Sequence, residues 1–130
     1  MVVPILKQGD FLIATIQSAL TDDDLLQLRD DLADQVGKYR SRGVIVDVTV
    51  LDVMDSFAAR TLRALAHMVG LRGAQTVIVG VQPEVAFAMV QLGLTLGDVE
   101  TALDLEEGLS LLQRRTRRGT GRGGDTSRGR

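Results

Sequence analysis

The chain has 130 residues with 15 Lys+Arg against 17 Asp+Glu, and its net charge of −2 hides a division: residues 1–113 carry 8 basic and 16 acidic side chains, net −8, whereas residues 114–130 carry 7 arginines and Asp125, net +6. The absence of Cys and the presence of one His, His67, exclude a disulfide scaffold, thiol chemistry and paired-histidine zinc motifs. No apolar run nears the roughly 20 residues that cross a bilayer, so a cytoplasmic protein without membrane contact is expected, its core built from Val, Leu, Ile and Ala because aromatic residues are only 3%.

Val2 to Lys7 and Phe11 to Ile16 are β-rich runs joined by Gln8-Gly9-Asp10, which predicts a hairpin with Pro4 on an edge strand. The second run is apolar at nearly every position, as for a strand covered on both faces. Thr21 opens a helix whose first turn holds Asp22, Asp23 and Asp24, and Leu25, Leu28, Leu32, Val36 and Tyr39 form its apolar stripe, with Gly43 beyond its end. Asp30, Asp31 and Asp34 fall off that stripe as a solvated face.

Val44 to Val50 is a second buried-strand pattern, and a helix is predicted from Ser56 with Ala58, Leu62, Leu65 and Val69 inward. Arg60, Arg63 and His67 share another face of that helix, so His67 reads as an exposed or partner-contacting residue rather than a general base. Thr76 to Val81 is the next strand. Pro83 opens a helix with Val85, Met89 and Leu92 on one side and Gly93 at its close. Val99 to Leu103 suits a short last strand, and Asp104-Leu-Glu-Glu107 caps a final helix lined by Leu105, Leu109 and Leu112. After the leading hairpin, strands and helices alternate, which calls for an α/β fold with a mostly parallel sheet of four or five strands and about four helices. One domain over 1–113 is expected, followed by an Arg/Gly-rich tail, 114–130, that lacks apolar periodicity and is predicted to be disordered.

Gly119-Thr-Gly121-Arg-Gly-Gly124 matches G-x-G-x-x-G by letter, but a dinucleotide fingerprint leaves a strand and opens a helix, and neither flanks it. One Arg-Gly-Gly copy without aromatic residues is weak support for nucleic-acid binding. The segment Asp52-Val-Met-Asp55-Ser56 admits two readings. In one it is helix punctuation, a Ser or Asp N-cap worth about 1 kcal/mol, with Val53, Met54 and Phe57 as packing residues. In the other, the hydroxyl stands where a parallel strand ends, the side on which open α/β sheets place their sites, and is accessible to a kinase.

Val46-Asp-Val-Thr49 followed by Leu51-Asp-Val-Met-Asp-Ser56 resembles the strand, loop and phosphorylatable serine of STAS domains, the anti-sigma factor antagonist family. Pro4-Ile-Leu, Gly80-Val-Gln-Pro-Glu-Val-Ala86, Gln91-Leu-Gly93 and Glu100-Thr-Ala-Leu-Asp-Leu-Glu106 are similar to the stressosome branch, over about residues 3–113. Phe57-Ala58 follows the serine where many simple antagonists carry a small Ser-Gly pair, as in the small scaffold proteins of that branch. The larger co-antagonists carry an N-terminal sensory domain and usually threonine at the acceptor position, and neither is found here.

The resemblance implies protein binding switched by phosphorylation, without catalysis and without a cofactor or metal. Ser56 would be the phosphate acceptor, with Asp52, Met54, Asp55, Ser56, Phe57, Arg60 and Arg63 as the partner-binding set. The implied partners are a serine/threonine switch kinase, a sensory STAS co-antagonist and a cognate phosphatase, in a large homo- and hetero-oligomeric complex that controls a stress-response pathway. The alternative is a small-molecule or nucleotide-binding STAS module using the helix N-termini at Ser56 and Pro83, for which no Gly-Lys phosphate loop is present.

Overall fold

The computed structural model describes residues 2–120, with side chains through Arg117. Strands β1 (Ile5–Gln8) and β2 (Phe11–Thr15) form the predicted hairpin around Gly9, with Leu6 opposite Ile13. The remaining elements are α1 (Asp22–Tyr39), β3 (Gly43–Asp47), α2 (Ser56–Leu71), β4 (Gln75–Val79), α3 (Pro83–Gln91), β5 (Glu100–Ala102) and α4 (Leu105–Thr120). The five strands lie in the order β1-β2-β3-β4-β5, with β1 antiparallel to β2 and every later pair parallel.

Because β2 to β5 step along the sheet in one direction, right-handed crossovers carry their connecting helices to one face. Side-chain alternation shows this layering. Leu12, Ala14, Val44, Val46 and Ile78 belong to the larger core with α1 and α2, whereas Phe11, Ile13, Ile45, Val77 and Val79 meet Leu112 of α4 on the other side. The unbroken apolar runs of β2, β3 and β4 follow from coverage on both faces. Gly108 lets α4 press onto the sheet, since a Cβ there would stand 2.7 Å from Val79 Cγ1.

Several sequence expectations need correction. Tyr39 is exposed rather than part of the α1 stripe; Gly43 does lie beyond that helix, as the first residue of β3, and the left-handed residue that ends α1 is Arg40, with φ 53°. Leu92 lies one residue past α3 and is 70% exposed, and Phe87 and Val90 also face outward. Val85 and Met89 do pack inward.

Helix α4 does not stop at Gln113. It continues to Thr120 through the start of the basic segment, where Arg42 Nη2 donates to the Thr116 carbonyl at 2.8 Å and Arg115 pairs with Glu100 at 2.8 Å. These tertiary bonds extend a helix whose sequence has lost its apolar period. The rest of the expected tail, including Gly121 to Gly124 of the G-x-G-x-x-G match, lies outside the described residues. Among the described residues, no helix is long and apolar enough to cross a membrane.

Candidate functional site

The connection from β3 to α2 emerges at the carboxyl edge of the sheet, beside the connection from β4 to α3. Its backbone is held by a clamp. Asp47, the last residue of β3, accepts from the Thr49 N–H at 2.9 Å and from the Thr49 hydroxyl at 2.6 Å, an Asx-type turn that sends the chain away from the sheet. Gln82 Nε2 donates to the Thr49 carbonyl at 2.6 Å, tying this loop to the one before α3. Gly80 permits the close approach: its φ is +82°, and a Cβ there would lie 2.0 Å from Thr49 Oγ1. Leu51 and Met54 then turn inward as buried anchors.

Anchored in this way, the loop delivers Asp55 and Ser56 to the start of α2. Asp55 is the N-cap: its backbone is extended, and its carboxylate accepts from the Ala58 N–H at 2.8 Å. Ser56 is therefore the first helical residue rather than the cap. It is exposed, and among the described residues its hydroxyl has no hydrogen-bond partner. Thr49, the other hydroxyl of the connection from β3 to α2, is already committed to Asp47. The two readings of the segment thus fall on adjacent residues, punctuation on Asp55 and an accessible hydroxyl on Ser56.

The expected contact residues divide. Asp52, Asp55, Ser56 and Arg60 are exposed at this edge, and Phe57 is half-buried against the core. Arg60, one turn along α2 from Ser56, has no hydrogen bond or ion pair among the described residues. Met54, at 4% exposure, is a core residue and offers a partner almost no surface. Arg63 sits two turns from Ser56 at the middle of α2, donates to the Thr95 carbonyl, and rests its stem on Gly97, so it is engaged with the loop before β5. Val53, expected to pack, is instead 72% exposed, and Val50 is exposed with it.

Asp47, Thr49, Gly80 and Gln82 escaped sequence reasoning as a group. The Asp-x-Thr spacing at a strand end was a usable signal for the turn. Nothing local announces the bond between residues 49 and 82.

This arrangement has relatives. The STAS domain family model matches residues 3–107. The RsbT co-antagonist protein RsbRA of Bacillus subtilis is 32% identical over 83 residues, which cover 64% of this chain but 30% of RsbRA. A serine-to-glutamate variant of RsbS from Moorella thermoacetica has a structure that superposes with TM-score 0.76 at 31% identity, covering 88% of this chain and 97% of that one. A chain from a structure describing the molecular architecture of the stressosome, a signal integration and transduction hub, superposes with TM-score 0.72 at 32% identity, covering 88% and 99%. With the family model spanning most of the fold and the serine-bearing loop included, the chain belongs to the STAS-domain family, in its stressosome branch.

Proposed function

We propose that the chain is a non-catalytic scaffold and antagonist of a stressosome-type assembly that holds a serine/threonine switch kinase and releases it when Ser56 is phosphorylated. The observation that carries this reading is the division of labour at the start of α2. Asp55 makes the capping bond, leaving the Ser56 hydroxyl exposed and without a structural task. A phosphate can be added there without removing any hydrogen bond that the fold uses.

Charge supplies the switch. Phosphorylation adds about −1.5 to −2 charges beside Asp55 and near Asp52, both exposed. The helix N-terminus favours the phosphate by only about 0.3–1 kcal/mol at an exposed position. Uncompensated charge inside a packed interface costs several kcal/mol, so the interface yields and the domain stays folded. Exposed Val53 and Val50 at the same edge provide apolar contact for the unmodified state. Arg60 is placed to pair with the phosphate in the released state, and a phosphatase returns the surface to its binding form. RsbRA is named as a co-antagonist of RsbT; the partner we assign to this surface is the switch kinase that the family resemblance implies, with a sensory co-antagonist as its companion in a cytoplasmic oligomer.

Phosphopeptide mapping tests the assignment. After incubation with such a kinase and ATP, one phosphate is expected on the tryptic peptide Gly43–Arg60, located by fragmentation to Ser56 and absent in Ser56→Ala. Phosphate on Thr49, the only other hydroxyl of that peptide, would refute it.

A further inference from the structure

The opposite charges of the chain are separated in space as well as in sequence. Each helix runs back against the parallel strands, so the N-termini of α1 to α4 gather at the carboxyl edge of the sheet and their C-termini at the amino edge. At the carboxyl edge stand exposed Asp22, Asp23, Asp52, Asp55, Glu84 and Glu106, with Arg60 one turn into α2. At the amino edge stand exposed Lys7, Lys38, Arg40, Arg72, Arg115 and Arg117.

Tertiary contacts draw the second group together. Lys7 of β1 and Lys38 of α1 lie 5.8 and 5.2 Å from the Tyr39 ring centre. Arg72, just past α2, reaches the Ala33 carbonyl of α1 at 3.5 Å. The bond from Arg42 to Thr116 sets the end of α4 beside the start of β3. Asp10, Asp98 and Glu100 lie toward this edge too, and Glu100 is paired with Arg115. Acids at helix N-termini and bases at C-termini complement the helix dipoles, but each helix end carries only about half an elementary charge. A surplus of each sign therefore remains at its own edge.

The two surpluses do not neutralise each other within one molecule. The 18 residues of α1 hold Asp22 about 25 Å from Tyr39 at 1.5 Å per residue, whereas the screening length at physiological salt is about 8 Å. Neither edge suits a two-fold contact with itself, because like charge would meet like. Acidic edge against basic edge is the complementary pairing, and this chain supplies both halves. Exposed apolar side chains add contact area on each side, Val53 and Leu103 at the carboxyl edge and Leu71 beside Arg72 at the amino edge. Single-stranded nucleic acid matches the basic edge less well: the Tyr39 ring already has two lysines over it, and Phe11 is buried, so bases lack a stacking platform.

We propose that copies of this chain associate head to tail, the acidic carboxyl edge of one against the basic amino edge of the next. Each exposed ion pair contributes little alone, so the contact is weak, spread over the whole edge and sensitive to salt. Being heterologous, it extends into rings or chains rather than stopping at a dimer. It needs neither kinase nor phosphate and stands apart from the reading of Ser56.

Sedimentation velocity of the full chain, freed of nucleic acid, tests the contact. The average mass is expected to rise with protein concentration in about 0.02 M NaCl and to fall in about 0.5 M. Lys38→Glu with Arg40→Glu, and separately Asp52→Lys with Glu84→Lys, should each weaken association about tenfold or more, because like charges then face each other. An equimolar mixture of the two double variants, each checked for folding by circular dichroism, should restore it. Replacing Arg122, Arg128 and Arg130 by Ser should leave association in place. A mass that ignores salt, as contact through the apolar outer side of α3 would give, would overturn the proposal. So would association that requires an added oligonucleotide, association lost with the three C-terminal arginines, or absence of rescue on mixing.

Discussion

The two ends of helix α2 use their polar groups in opposite ways. At the amino end, Asp55 caps the helix and Asp47, Thr49 and Gln82 pin the loop, so the needs of the backbone are met and the Ser56 hydroxyl is left over at the surface. At the carboxyl end, the Thr76 hydroxyl is buried and left unmet beside an open cleft. Between them, Leu62 and Leu65 are nearly inaccessible and lock the helix to the sheet. A surplus hydroxyl at the surface is a place where chemistry can be added without cost to the fold. An unmet one in the interior is a place where an apolar replacement can add stability.

The largest effect should come from breaking what both ends share. Leu65→Ala removes a fully buried side chain and is expected to lower stability by about 2–5 kcal/mol in urea unfolding, disabling both ends together. Next comes a change confined to the amino end. Gly80→Ala places a Cβ against Thr49 at a positive φ, and a loss of about 1–3 kcal/mol is expected, with amide shifts concentrated in residues 47–56 and little change at Thr76.

The division between Asp55 and Ser56 is sharpened by a smaller pair of changes. Asp55→Ala should cost about 1 kcal/mol as the lost cap, whereas Ser56→Ala should leave the unfolding free energy within about 0.5 kcal/mol of the parent. Equal losses would mean that the serine also supports the helix. Smallest of all, Thr76→Val should raise stability by about 0.5 kcal/mol, because an unsatisfied hydroxyl is replaced by a methyl. A loss instead would show that the hydroxyl is satisfied in the folded protein.

These elements were legible in the sequence to very different degrees. The start of α1 was visible in Thr21 and its aspartates, and the structure adds a reciprocal capping box there that the sequence reading did not name, Asp24 N–H to Thr21 Oγ1 and Thr21 N–H to an Asp24 carboxylate oxygen, each at 3.1 Å. Strands β2, β3 and β4 were legible because double coverage writes an unbroken apolar run. The end of α3 was not, since Phe87, Val90 and Leu92 are apolar yet exposed and periodicity does not say which of two apolar faces is covered. The extension of α4 was hidden because Arg42 and Glu100, far away in sequence, hold it.

The site divides in the same manner. Ser56 and its acidic neighbours were readable from a contiguous motif, including its likeness to a known family. The clamp around Thr49 joins residues about thirty positions apart, and the cleft assembles α2, β4 and the loop before β5, so neither leaves a local signature. Val53 misled because an apolar residue in a loop reads as packing until the neighbouring Met54 is seen to take the inward position.

The central claim is that charge at Ser56 controls partner capture while the fold stays intact. Its most direct test measures the affinity of the full chain for the switch kinase by calorimetry, comparing the parent with Ser56→Ala and Ser56→Asp and checking each fold by circular dichroism. Retained affinity in Ser56→Ala, and at least about a tenfold loss in a folded Ser56→Asp, equivalent to roughly 1.4 kcal/mol, is the predicted result. Equal affinity of all three folded proteins for the kinase would contradict it.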